Sequence, residues 1–139
     1  MEDCIFCKIA ADNVPNYTVY EDKNFKAFLD IHPLNKGHVL VIPKKHFRWV
    51  WDVPNIGKYY EIAGKIANAQ RKAFGTEWIV SIVLGEAVPH AHIWLVPRFA
   101  RDGHGPTLLF TKRKSFSKKE MVGIQEQIVS ALKIQILKI

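Results

Sequence analysis

Cysteine is scarce in this chain: two residues in 139, both inside Cys4-Ile5-Phe6-Cys7. A CxxC pair does not make a disulfide framework. In a reducing compartment such a pair serves metal binding or redox chemistry instead. Long apolar runs are also missing, and nothing approaches the roughly 18 residues needed to span a bilayer. The opening Met1-Glu2-Asp3 is not a basic region leading into an apolar one. The sequence therefore reads as a soluble, cytoplasmic protein with no membrane partner. Acidic residues are in deficit, 13 against 20 Lys and Arg, for a net charge of +7. That balance favours polyanionic partners such as nucleotides or nucleic acid. The surplus is local, concentrated in Lys112, Arg113, Lys114, Lys118 and Lys119, and a block of this kind is often only a solvated loop. Internal repeats and low-complexity segments are absent too.

What is present is a hydrophobic content of 48%, which excludes global disorder. The length suits one domain with a real core, not two. Residues 4–10 read as a short helical turn, and Asp12 to Asn16 as a loop marked by Pro15. Strands are expected at 18–21 and 25–31, joined as a hairpin through Asp22-Lys23-Asn24. The second should point Phe25, Ala27, Leu29 and Ile31 one way, Phe28 and Asp30 the other. Val39-Leu40-Val41-Ile42, bounded by Gly37 and Pro43, reads as a central strand over 38–43. Pro54-Asn55 opens a helix over 56–74, where Tyr59, Ile62, Ala63, Ile66, Ala69 and Ala73 recur at helical spacing and Gly75 caps the end. Strands follow at 78–84 and 90–97. Residues 107–111 suit a short extended segment. Ser117-Lys118-Lys119-Glu120 has the form of a capping box. It opens a helix to about Lys138 with an apolar stripe of Val122, Gln125, Ile128, Val129, Leu132, Ile136 and Leu137. These elements argue an α+β fold with an antiparallel meander.

The most informative stretch is His90-Ala91-His92-Ile93-Trp94-Leu95. In an extended strand Ala91, Ile93 and Leu95 face a core, while His90, His92 and Trp94 share the other face. Two imidazoles opposite an apolar face are unusual, although a lone H-x-H is a weak pattern.

This run resembles the signature of the histidine-triad (HIT) superfamily, His-φ-His-φ-His with φ apolar. Cys4-Ile5-Phe6-Cys7-Lys8-Ile9 and Val19-Tyr20-Glu21-Asp22 resemble the family's opening. Residues from Ala27 to His46, including Asp30-Ile31-His32-Pro33 and Gly37-His38-Val39-Leu40-Val41-Ile42-Pro43-Lys44-Lys45-His46, are similar to its central block. The resemblance covers about residues 1–99, a HIT domain, and leaves 100–139 as a loop-and-helix extension packed on it. It departs at two places. The third motif histidine is Trp94. The Gly-rich loop before the motif is shortened to Leu84-Gly85-Glu86-Ala87-Val88, with Glu86 where the family usually has Gln.

The resemblance implies a five-stranded antiparallel sheet with one long packed helix, here with an added C-terminal helix, and a two-fold homodimer. It implies that His92 attacks the α-phosphorus of a nucleotide ester, anhydride or phosphoramidate. The His90 carbonyl would accept from Nδ1–H of His92, and His38 would support the triad. Phe6, Ile9, Val14, Phe28 and Ile31 would enclose the base, Asp30 would accept from ribose hydroxyls, and Glu86 and Trp94 would lie at the nucleotide. An indole donates a hydrogen bond but cannot act as acid or base near neutral pH, so Trp94 puts protonation of the leaving group in question. By the same resemblance, to the CxxC zinc-containing bacterial-type branch, Cys4, Cys7, His46 and His90 bind Zn²⁺. Four protein ligands leave no open position, so the metal is structural. His32 and His104 are expected at the surface. Two other readings stand beside the enzyme: a zinc-stabilised nucleotide-binding protein without turnover, and a nucleic-acid-associated, adenylate-processing protein using the basic 112–119 run.

Overall fold

Most strands of this chain are apolar on both sides, so the sheet they form must be covered on both faces. The computed structural model describes residues 3–137, with side chains through residue 134. Its elements are α1 (Ile5–Ala10), β1 (Thr18–Glu21), β2 (Phe25–Leu29), β3 (Val39–Pro43), a 3₁₀ turn (Val50–Asp52), α2 (Ile56–Phe74), β4 (Ile79–Ile82), β5 (Ile93–Pro97) and α3 (Lys118–Leu137). The five strands form one antiparallel sheet in the order β1-β2-β3-β5-β4. It is therefore not a simple meander. The chain leaves β3 through α2, returns as the outer strand β4, and then inserts β5 in between.

Alternation sorts the strand residues as their sequence predicts. Phe25, Ala27, Leu29, Val39, Val41, Ile93 and Leu95 pack with Tyr59, Ile62 and Ile66 of α2 and with Ile124 and Ile128 of α3. Phe28, Leu40, Ile42, Trp94 and Val96 face the other way, against Phe6 and Ile9 of α1. Each large apolar side chain so buried contributes about 1.5–3 kcal/mol. Tyr59 is buried with them and donates its hydroxyl to the Val41 carbonyl at 2.6 Å. The long helix begins at Asn55, whose side chain accepts from the Lys58 amide, and ends at Gly75 in the left-handed region at φ 64°. A glycine reaches that conformation without steric cost.

Several expectations are corrected. β2 stops at Leu29, because the Asp30 carboxylate takes the His32 amide at 2.8 Å and turns the chain. Ile31 thus leaves the core side and is 63% exposed. β5 starts at Ile93, since residues 86–90 bend, with the His90 amide on the Val88 carbonyl. His90 and His92 therefore precede the strand, although the alternation continues through them. Residues 107–111 form no strand; the Lys112 amide closes a turn onto the Leu109 carbonyl. The capping box at α3 is present, Ser117 and Glu120 exchanging backbone-to-side-chain bonds at 2.9 and 3.1 Å. The buried stripe of α3 is Met121, Ile124, Ile128, Ala131 and Leu132, with Val122 exposed. Its period is helical, but it is offset from the expected stripe because Met121 and Ile124 take the core-facing turn. Ile136 and Leu137 lie outside the described side chains. Among the described residues no helix is long and apolar enough to cross a membrane.

Candidate active site

The N-terminal CxxC is folded by α1. Cys4 caps the helix, its sulfur accepting from the Cys7 amide at 3.4 Å, and one turn brings Cys7 alongside. His46 follows β3 and His90 precedes β5, which is paired to β3. The ligand atoms of Cys4, Cys7, His46 and His90 all lie within 4.8 Å of one another. Nδ1 of His90 is 3.3 Å from Cys4 Sγ and 3.5 Å from Cys7 Sγ, and Nδ1 of His46 is 3.3 Å from Cys7 Sγ. Donors bound tetrahedrally to one zinc ion are separated by roughly 3.3–3.8 Å, so the set fits that ion. The His90 tautomer fits as well. Its Nε2 meets the Pro43 carbonyl at 2.8 Å, so Nε2 carries the proton and Nδ1 presents a bare lone pair, as a metal-ligating imidazole requires. Burial and the adjacent Cys4 push the Cys7 thiol up to about 11; a cation at the cluster centre supplies the charge that lets such a thiol ionise.

The same short stretch fixes His92. Its Nδ1 lies 2.7 Å from the His90 carbonyl. A carbonyl only accepts, so Nδ1 bears the proton, and in the neutral ring Nε2 is bare. Burial holds the His92 imidazole below its ordinary range, against the opposing pull of the His90 carbonyl and Asp30. Phe6 meets it edge-on at 5.1 Å. His38 is fully buried, and its Nδ1 accepts from the Leu34 amide at 3.1 Å. Its Nε2 has no hydrogen-bond partner among the described residues and faces Asp30 Oδ2 at 3.8 Å. Burial lowers its pKa to about 4, Asp30 opposing, so the ring is neutral near pH 7.

An open pocket of about 320 Å³ lies on this face of the sheet, a volume suited to a small ligand. His92, Phe6, Ile9, Val14, Phe28, Asp30, Ile31 and Trp94 all line it. Glu86 does not: it is exposed on the loop beyond. Ala87 and Val88 of that loop line the pocket instead. The loop is held by Arg48, which donates to the Gly85 carbonyl at 2.6 Å and stacks 3.7 Å over Trp49. Trp94 is buried between His38, 5.1 Å away, and Phe110, 5.7 Å away, both edge-on.

Two more residues are not where the sequence suggests. His104 is buried, not at the surface: its Nε2 donates to the Leu34 carbonyl at 2.7 Å and its Nδ1 accepts from the Leu109 amide at 3.0 Å. Arg113, read as part of a solvated basic run, lines the pocket. Its Nη1 donates to the His32 carbonyl at 2.9 Å and lies 3.6 Å from Asp30 Oδ2. No local pattern singles out Arg113, since the contact joins residues 81 apart in sequence.

Known proteins resemble this chain in sequence and in fold. The model of the HIT domain family matches residues 11–101. The chain is 34% identical to Protein hit of Bacillus subtilis, over 94% of this chain and 95% of that one. It is 35% identical to the adenylylsulfatase HINT3 of Arabidopsis thaliana, over 72% of this chain and 54% of that one. A zinc-bound histidine triad family protein from Mycobacterium smegmatis superposes with a TM-score of 0.84 at 27% identity, covering 99% of each chain. A family match over most of the chain, and a relative aligned nearly end to end, make this protein a member of the HIT domain family.

Proposed function

We propose that the protein is a nucleotide hydrolase or nucleotidyltransferase that works through a covalent nucleotidyl-histidine at His92. The observation that carries the reading is the 2.7 Å contact between His92 Nδ1 and the His90 carbonyl, with His92 lining the pocket. It leaves Nε2 a neutral nucleophile without a proton to lose first. In the first step the Nε2 lone pair forms a bond to the α-phosphorus. The bond from phosphorus to the leaving group breaks, and its electron pair departs with that group. In the second, water or another acceptor attacks phosphorus, the pair returns to Nε2, and the acceptor's proton passes to solvent. Asp30 accepts from ribose hydroxyls through Oδ2, Oδ1 being occupied by the His32 amide. Phe6, Ile9, Val14, Phe28 and Ile31 hold the base. His38, neutral and wedged between Asp30 and Trp94, positions both.

Cys4, Cys7, His46 and His90 hold zinc in this reading. Bound there, the ion supplies structural cross-linking and no open coordination position. His90 thereby couples the metal centre to the carbonyl that orients His92. The pairing of two chains into a homodimer is part of the same proposal.

Trp94 in place of an imidazole favours one alternative, a nucleotide-binding protein without turnover. The nucleic-acid reading loses support from the basic run itself. Lys114 is turned inward onto Asn35 and the Asp102 carbonyl, and Lys112 onto the Gly103 carbonyl.

The test is a trap. Incubation with a nucleoside 5′-phosphofluoridate labelled at the α-phosphate, followed by alkaline quench, should leave label on His92. His92→Asn should abolish the label while nucleotide binding, read by tryptophan fluorescence, persists. Binding without label in the unsubstituted protein would favour the non-catalytic alternative.

A further inference from the structure

We infer that Arg113 is a leaving-group residue, and that this pocket is built for nucleotide substrates whose leaving group departs as an anion, namely mixed anhydrides of a nucleoside 5′-phosphate, and not for phosphoramidates. The inference rests on the His92 reading above and names the substrate class for it. Arg113 lies beyond the residues that match the family, 11–101. A segment of the C-terminal extension carries it to the pocket rim, and that segment is held at several points. The Lys114 amide donates to the Pro33 carbonyl at 2.7 Å, and Lys114 Nζ reaches Asn35 and the Asp102 carbonyl. Asp102 is paired with buried Arg98 at 2.7 Å, and His104 ties the loop to Leu34. Phe110 sits edge-on against Trp94 from the same segment. The guanidinium carbon of Arg113 lies 5.2 Å from the Trp94 ring centroid, beside the position where the family motif has its third histidine.

The chemistry of that replacement decides the substrate. An amine leaving group must take a proton as the phosphorus–nitrogen bond breaks. Neither the indole nor a guanidinium can supply one, because guanidinium stays protonated and indole N–H is only a hydrogen-bond donor. A sulfate or phosphate leaving group needs none. As the phosphorus–oxygen bond breaks, its electron pair stays on the departing oxygen as negative charge, which a fixed guanidinium stabilises. The contacts above engage Nη1 of Arg113, and a guanidinium carries five N–H donors in a fork suited to such oxyanions. Arg48, which donates to the Gly85 carbonyl at 2.6 Å, adds a second positive charge on the loop side.

The experiment compares three substrates of one nucleoside on the full chain: a 5′-phosphosulfate, a 5′-phosphofluoridate and a 5′-phosphoramidate. Burst and steady-state rates are measured for the native protein, Arg113→Gln and Arg113→Lys. Fluoride needs no proton and leaves as a compact ion without the oxygens that a guanidinium fork grips, so it reports the His92 step with the least help from Arg113. The native protein should favour the phosphosulfate over the phosphoramidate by at least about 10²-fold, the usual worth of general acid help. Arg113→Gln should lower kcat on the phosphosulfate about 10²-fold more than on the fluoridate, the lower end of the range for losing one stabilising donor, and Arg113→Lys should recover part of it. Arg113 is 36% exposed at its side chain, so unchanged thermal unfolding is expected and serves as the folding control. An equal loss on all three substrates, or a rise confined to KM, would assign Arg113 to positioning Asp30 and overturn the inference. So would a native preference for the phosphoramidate. If the native protein labels with none of the three, the His92 reading itself fails, and this inference with it.

Discussion

In the proposed reading, Trp94 gives up proton chemistry for shape. Trp94→His should place an imidazole at the rim and speed phosphoramidate hydrolysis by roughly 10²–10⁴-fold, with the phosphosulfate rate changing far less. The same substitution removes buried aromatic surface between His38 and Phe110, so the melting temperature should fall; differential scanning calorimetry alongside the kinetics checks both. Equal acceleration of every substrate would show that Trp94 merely obstructs the pocket. His38 gives a second prediction, in pH. Its folded pKa is about 4 against 6.5 for the free side chain, so the unfolded chain takes up the proton first. Stability is therefore intact above pH 6.5 and is lost as pH falls from 6.5 towards 4, by about 3 kcal/mol in full. Arg98 holds Asp102 below the usual carboxylate range, so its loss falls at lower pH still. Urea unfolding between pH 7 and 4.5 should show a steeper slope in the native protein than in His38→Gln, the remaining slope coming from His90 and His92, which burial also holds below their ordinary range. Acid release of metal is common to both proteins and cancels in the difference. Matching slopes would mean His38 titrates normally.

On the scale of elements, the CxxC turn, the exit from β3 and the entry to β5 meet at one four-residue cluster. Cys4→Ser should release the metal and loosen all three together. Purified native protein should contain about one zinc per chain. The variant should contain almost none and should unfold roughly 10 °C lower, taking about 3 kcal/mol for the lost site; elemental analysis and calorimetry are the measurements. Thiols of Cys4 and Cys7 that titrate freely in metal-free native protein of equal stability would sink the site. Elements of this kind were well marked in the sequence. The helix at Ile56–Phe74 matches its expected bounds, because Asn55 and Gly75 are strong caps. The strand faces follow from alternation alone. What local pattern missed was set by distant contacts. β5 begins late because the Ala91 amide is taken by Phe47. His104 is buried because Leu34, 70 residues away, offers it a carbonyl. The crossing of β4 outside β5 is a matter of topology that no window of residues contains.

For the whole molecule, the open question is what meets the outer edge of the sheet. α3 packs on α2 and β1, and Gln125 donates to the Thr18 carbonyl at 2.8 Å, so the C-terminal helix covers the far side and leaves β4 alone. Among the described residues β4 pairs with β5 only. Its flanks carry exposed Trp78, Val83 and Leu84, and it has none of the lysines or prolines that usually protect an open edge. An edge of that kind is a template for another strand, and a two-fold axis lets the same strand of a second copy serve. Light scattering on the purified protein at micromolar concentration should therefore give twice the 16.0 kDa chain mass. Placing lysines at both Val83 and Leu84 sets like charges against each other across the axis and should shift the population to monomer. Val83 and Leu84 are already exposed, so the cost to the folded chain should be small, within about 0.5 kcal/mol. A native mass of one chain would show that β4 stands unpaired in solution, and the partner for that edge would then have to be sought in a different protein.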